Sequence, residues 1–188
     1  MTTIGRGSTL VHRSLIHPPG DEYPCTCDWT VGDKGSCMSS NVENSEPQIV
    51  ACTNCHTKNR VPAAAKGVPR CGKCQTPLRW IVNASDADFA SVVEAATIPV
   101  LVDMWAPWCG PCRKVSPALE QIAGEFAGRL KLVKINADEA PALSQRFDVL
   151  AIPTLLLLSR GEVIDRQVGA APVAQLRSWV VSKLNLGA

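Results

Sequence analysis

Apolar residues in the second half of the chain come in two rhythms. Short runs dominated by apolar side chains, "PVLVDMW" at 99–105, "LKLVKI" at 130–135 and "TLLLLS" at 154–159, predict strands, the first suited to cover on both faces. "EVIDRQ" at 162–167 reads as a further strand, joined to the preceding one by "RG". Between them lie helical patterns. In "ASDADFASVVEAA" at 84–96, Ser85 is placed to cap a helix with Asp88 three residues later, and Phe89, Val92, Val93 and Ala96 share a face. "CRKVSPALEQIAGEFAG" at 112–128 predicts a helix kinked by Pro117, and "PALSQRF" at 141–147 a short one. "APVAQLRSWVVSKL" at 171–184 is amphipathic: Pro172 suits a first turn, while Val173, Leu176, Trp179 and Val180 fall on one side. Strand, helix, strand, then a hairpin and a covering helix predict a compact α/β layer fold from Ile81 onward.

Upstream the rhythm fails. Residues 1–47 are rich in Gly, Pro, Ser and Thr and show neither period, which predicts a disordered extension; a mis-called start is the alternative, with Met38 available. Residues 48–80 carry Pro62, Gly67, Pro69 and Pro77 as turn formers and are too short to bury a core without a staple. Charge divides the chain in the same places. Residues 48–80 hold Lys58, Arg60, Lys66, Arg70, Lys73 and Arg79 and no acid, the stretch after it is nearly balanced, and the stretch before it is acidic. Three segments are therefore expected: an extension (1–47), a small module (48–80) and an α/β domain (81–188).

The cysteines assign chemistry to these segments. There are nine, an odd number, and six of them sit in close pairs, a pattern that fits metal and redox chemistry in a reducing compartment better than a secreted disulfide framework. The first residues show no continuous apolar signal segment, and no stretch approaches the roughly 18 apolar residues of a membrane helix. A cytoplasmic protein without a membrane anchor is expected; Arg6 and Arg13, with no acid before Gly20, leave an organelle transit peptide as the alternative. Cys25, Cys27 and Cys37 lie in the extension and receive no function.

Cys52, Cys55, Cys71 and Cys74 have the form C-x2-C-x15-C-x2-C, within the spacing of a four-cysteine zinc site. Each pair would supply two thiolates at about 2.3 Å from the metal, with Gly72 suited to a tight knuckle. "CTNCH" also matches a c-type haem attachment. Three points weigh against haem: no export signal, no purpose for the second pair, and no helical pocket nearby. Iron–sulfur ligation and plain dithiol chemistry remain open. His56 then reads as an exposed loop residue or as a donor to a thiolate. The basic module does not predict nucleic-acid binding, because a zinc tetrathiolate carries about −2 and Trp80 is the module's lone aromatic residue. A docking face for acidic substrates or a redox-sensitive metal switch suits it better.

The third pair, in "WCGPC", sits where a strand gives way to a helix. Cys109 there meets unpaired N–H groups and the positive end of the helix dipole, which lowers a thiol pKa and raises its thiolate fraction. Cys112 lies one turn on, within reach of the first sulfur, and Gly110 and Pro111 fix the turn. A redox couple fits an exposed helix start better than a structural disulfide does.

"LVDMWAPWCGPC" closely resembles the active-site strand and helix of the thioredoxin family, and the resemblance extends over about residues 81–188. It implies the thioredoxin fold, a central mixed sheet flanked by helices. It also implies a buried aspartate at Asp103 that accepts the Cys112 proton, a lysine at Lys134 approaching it, and a cis-proline at Pro153 after Ile152. On the residues alone, a structural Asp103–Lys134 pair is the preferred reading, and an ordinary trans turn at Pro153 is as natural as a cis one. Trp105, Trp108 and Pro117 match in place, and Met104 stands where Phe is common. The resemblance further implies that Trp108, Gly110, Pro111, Ile152, Pro153 and Gly169 line the substrate groove. With a zinc ribbon in front, residues 48–188 resemble the zinc-containing second type of bacterial thioredoxin. What this implies is a monomeric thiol-disulfide oxidoreductase that reduces protein disulfides and is recharged by thioredoxin reductase and NADPH. One zinc, structural or regulatory, and no tightly bound organic cofactor are expected. The alternative is a zinc-based redox sensor or holdase using the same fold as a platform.

Overall fold

The computed structural model describes residues 47–185 apart from Lys66. The expectations for residues 1–46, including Cys25, Cys27, Cys37 and Met38, lie outside the described residues. The described part opens with a small hairpin: β1 (Gln48–Ala51) pairs antiparallel with β2 (Lys58–Val61), Gln48 opposite Val61. A lone bridge between Arg70 and Pro77 closes the second half of this module. Five strands then make one mixed sheet. They are β3 (Trp80–Ala84), β4 (Val100–Trp105), β5 (Lys131–Asn136), β6 (Thr154–Ser159) and β7 (Glu162–Val168), in the order β3-β5-β4-β6-β7. The first three are parallel to one another, whereas β6 runs antiparallel to β4 and β7 antiparallel to β6. Three helices complete the fold: α1 (Gly110–Glu125), α2 (Pro141–Arg146) and α3 (Val173–Leu184).

Period-2 alternation sends side chains to two separate cores. Leu101, Leu132, Leu155 and Leu157 face α1 and α3, packing on Leu119, Ile122, Leu176 and Val180. Val100, Val102, Met104, Val133 and Leu156 face the other way, onto Phe89, Val92 and Phe147. That second core runs without a break into the cysteine module through Trp80, Leu78, Val61, Val50 and Cys71. The module thus borrows a core it is too short to build alone.

Residues 84–96 depart from the expected amphipathic helix. Asp88 Oδ1 accepts hydrogen bonds from Ser85 N–H (2.6 Å) and the Ser85 hydroxyl (2.9 Å), as a capping box requires of its acid. Beyond it the chain forms a π-helical turn, Ala90–Glu94, with Ala95 N–H donating to Ala90 O. Beside it the buried Lys131 ammonium donates to Val92 O and to Ala63 O (2.6 Å), and Ala96 N–H, which an α-helix would direct to Val92 O, donates to Val93 O instead. Pro117 lies within the sixteen-residue α1, and Pro172 caps α3 instead of occupying its first turn. Val173 is exposed, so the buried stripe of α3 rests on Leu176 and Val180. The "RG" turn holds Arg160 and Gly161 both at positive φ, the backbone a two-residue hairpin demands.

Candidate active site and candidate metal centre

β4 ends at Trp105, and the chain turns through Ala106–Trp108 into α1, with Cys109 at the N-cap in extended conformation. Cys112 N–H donates to Cys109 Sγ at 3.1 Å, and the two sulfurs are joined in a disulfide with Cα atoms 5.3 Å apart. The sulfurs are not exposed as the helix start suggested. Both cysteines are buried in a small apolar cluster with Ala106, Trp105 and Ile152. What reaches solvent is the surrounding rim, led by Trp108, 69% exposed, whose indole donates to Asp138 Oδ2 at 2.8 Å. Gly110 and Pro111 form the first turn of α1 beside it.

The Ile152–Pro153 peptide is cis. Gly169 N–H donates to Pro153 O at 2.8 Å, tying the end of β7 to this loop. Gly169 has φ +88, a conformation that side-chain-bearing residues rarely adopt. The fold therefore brings the disulfide, Ile152 and Pro153 together, and anchors Gly169 against them.

Asp103 lies in β4 opposite Lys134 of β5 and Leu155 of β6, on the α1 side of the sheet. It is 1% exposed, and its Oδ1 has no hydrogen-bond partner. Burial pushes its carboxyl up to about 6; the Lys134 charge opposes that rise and the Glu120 charge adds to it. Lys134 does not form the structural ion pair with Asp103 that the residues alone suggested. Its ammonium donates to Ser116 Oγ (2.5 Å) and Glu120 Oε1 (3.2 Å), both on α1.

The four remaining described cysteines converge. All four Sγ atoms lie within 4.8 Å of one another, with Cys52–Cys74 and Cys55–Cys71 each at 3.5 Å. A tetrahedral zinc with bonds of about 2.3 Å needs sulfur–sulfur edges of about 3.8 Å, so the set fits the metal. Two local turns build it, one a copy of the other. Cys52 N–H donates to Thr57 O and His56 N–H to Cys52 O; likewise Cys71 N–H to Thr76 O and Gln75 N–H to Cys71 O. His56 and Gln75 take the positive φ in each turn, so Gly72 is not the knuckle's special residue. Gly72 N–H is instead held by Asn59 Oδ1, while Asn59 Nδ2 donates to Cys71 Sγ at 3.7 Å. Thr57 and Thr76 hydroxyls lie 3.4 and 3.2 Å from Cys55 and Cys74 sulfurs. The Thr76 hydroxyl, with its backbone N–H, holds the Cys74 thiol down at about 5. This donor set suits a thiolate-bound metal, whereas a haem linked through Cys52 and Cys55 would find Cys71 and Cys74 already against those sulfurs. His56 is exposed, as a loop residue.

Sequence reasoning missed Thr57, Thr76 and Asn59. The signal for the threonines was legible as a repeat, "CTNCHT" and "CGKCQT", or C-x-x-C-x-T twice. Asp138, Ser116, Glu120 and Lys131 carried no comparable signal.

Comparison with known proteins places this geometry. The thioredoxin family model matches residues 80–182. A thioredoxin of Haemophilus influenzae is 49% identical over 100 residues, covering 53% of this chain and 94% of that protein. A chloroplastic M-type thioredoxin of Chlamydomonas reinhardtii is 40% identical over 124 residues, 66% of this chain and 87% of its own. Thioredoxin 1 of a Nostoc species is 44% identical over 94 residues, 50% and 88% respectively. The chain belongs to the thioredoxin family and is a thiol-disulfide oxidoreductase. The clustered cysteines in front of the matched segment are consistent with a zinc-containing member of that family. Among the described residues, no helix is long and apolar enough to cross a membrane.

Proposed function

We propose that the protein is a protein-disulfide reductase working through Cys109 and Cys112, recharged by a thioredoxin reductase that draws electrons from NADPH. The observation that carries this reading is Cys109 Sγ at the N-cap of α1, accepting from Cys112 N–H beside Ile152 and cis-Pro153. In the reduced form the Cys109 thiolate attacks one sulfur of a substrate disulfide, and the other substrate sulfur leaves and takes up a proton. Cys112 gives its proton to the Asp103 carboxylate and attacks Cys109 Sγ. The bond between Cys109 and the substrate breaks, and the second substrate sulfur departs as a thiolate. It takes up a proton from solvent while Asp103 releases the Cys112 proton, and the Cys109–Cys112 disulfide remains. Two electrons and two protons have passed to the substrate. A buried carboxyl held near 6 is suited to accept a proton at neutral pH, with Lys134 placed across the ladder to moderate its charge. Trp108, Gly110, Pro111, Ile152, Pro153 and Gly169 form the face along which the substrate chain lies.

In this reading the working protein divides into an extension (1–47), a zinc ribbon (48–80) and a thioredoxin domain (81–188), and acts as a cytoplasmic monomer. Cys52, Cys55, Cys71 and Cys74 hold one zinc, which when bound fixes the fold of a module otherwise short of core. Replacing Cys109 by Ser tests the function. NADPH consumption in the presence of thioredoxin reductase and a disulfide-linked protein should cease, while Cys112→Ser should accumulate a mixed disulfide. Turnover surviving Cys109→Ser would refute the reading. The four-thiolate cluster keeps a zinc-centred sensor or holdase as the second reading, which requires partner binding that survives Cys109→Ser and is lost with Cys71→Ser.

A further inference from the structure

We propose that Glu120 is a positioning residue of the dithiol reaction: with Ser116 it holds the Lys134 ammonium off the buried Asp103 carboxyl, leaving one Asp103 oxygen free to take the Cys112 proton. The proposal rests on the assignment of Asp103 as proton acceptor. Three observations meet in it. Asp103 and Lys134 are directly opposed across the β4–β5 ladder, so an ion pair between them is the simplest outcome of the register. That pair is not made: Lys134 Nζ is engaged by Ser116 Oγ and Glu120 Oε1, and lies 5.7 Å from the centre of the Trp105 ring. Asp103 Oδ1, by contrast, is buried with no partner.

A lysine saturated by a neighbouring carboxylate is a poor counter-ion for a second one. Were Lys134 free to bond Asp103, the carboxylate would be stabilised and would give up its affinity for a proton. Glu120 acts twice, by occupying the ammonium and by adding a negative charge of its own on the α1 side, which raises the proton affinity of Asp103 further. Ser116 and Glu120 are four residues apart on α1 and so lie on one face of that helix, the spacing that lets both reach one cation. The charged groups acting on Asp103 are Lys134 from β5 and Glu120 from α1; β6 presents Leu155, and the flanking residues of β4 are Val102 and Met104. Arg79 lines, with Gln48, Asn83, Glu120 and Lys134, a cavity of about 230 Å³ beside the Lys134–Glu120 pair, whose side chains are partly exposed.

The test is the pH dependence of single-turnover reduction of a disulfide-linked protein by the pre-reduced full chain, for wild type, Glu120→Gln, Asp103→Asn and the double variant. Glu120 is partly exposed, so the glutamine is tolerated by the fold, and thermal melting of each variant checks this. Glu120→Gln should move the midpoint assigned to Asp103 down by about half a pH unit, the size expected for one charge acting through partly solvated surroundings. In the Asp103→Asn background Glu120→Gln should change nothing, an outcome a merely structural role does not produce. A Glu120→Gln profile that superposes on wild type, with the midpoint still abolished by Asp103→Asn, overturns the proposal and leaves the Asp103 assignment standing. A midpoint that persists in Asp103→Asn overturns the assignment itself.

Discussion

Asp103→Asn should change stability as well as turnover, and the size of the stability change follows from the burial of the carboxyl. In the unfolded chain the group titrates near its ordinary value of 3.8, and in the folded protein near 6. Below pH ~4 both states carry the proton and the group is neutral toward stability. Between pH ~4 and ~6 the folded protein binds more protons than the unfolded chain, so stability falls as pH rises. Above ~6 the full cost is present. At about 1.4 kcal/mol per pH unit, it amounts to about 3 kcal/mol. The amide cannot ionise, and about half a kcal/mol of the cost is already present at pH 4, so Asp103→Asn should gain about 2.5 kcal/mol over wild type on going from pH 4 to pH 7.5. Any fixed packing cost of the amide appears at both pH values and cancels from this difference. The assay is urea unfolding of the oxidised full chain at the two pH values, followed by tryptophan fluorescence. A stability difference between variant and wild type that is the same at pH 4 and 7.5 would refute the reasoning, because the carboxyl would then have no displaced titration. The price of the gain should be a slower release of substrate from the mixed disulfide.

The candidate metal centre and the packing of its module yield the remaining predictions. Purified protein should contain one zinc per chain, measured by atomic absorption, and Cys71→Ser should abolish it while leaving the Cys109–Cys112 couple able to form its disulfide. Thr76→Val removes the hydroxyl 3.2 Å from the Cys74 sulfur and should weaken zinc affinity about 10-fold in chelator competition, the usual size of an outer-partner loss. Unchanged affinity would mean that the backbone donors alone set the thiolate. Gly128 has φ +82, and a Cβ there would meet Pro77 Cβ at 2.8 Å, so Gly128→Ala should cost at least about 1 kcal/mol in denaturant unfolding. Gly128→Ala as stable as wild type would show that the module can shift without loss.

Much of this protein is decided by short-range rules. β4, β5, β6 and α1 were legible because their apolar runs and helical period depend on nearest neighbours, and the clustering of Cys52, Cys55, Cys71 and Cys74 because each knuckle is closed within six residues. The Cys109 N-cap was legible for the same reason, since the strand-to-helix turn is local. The π turn at Ala90–Glu94 was not, and neither was the Lys131 ammonium on its Val92 carbonyl, which comes from thirty-seven residues beyond the Glu94 end. Nor did sequence show that the module and the sheet share one core, since Trp80 Nε1 donates to Pro62 O and Lys131 to Ala63 O only after the chain has closed. Periodicity alone left Asp103 and Lys134 as a plausible ion pair, with the resemblance pointing to proton transfer. Register does place them opposite each other, but which acid takes the lysine is settled by how α1 lies across the sheet and where it brings Ser116 and Glu120. Local chemistry chose the groups in this site; long-range packing chose which of them meet, because burial and Coulomb interaction depend on distances that chain order does not specify.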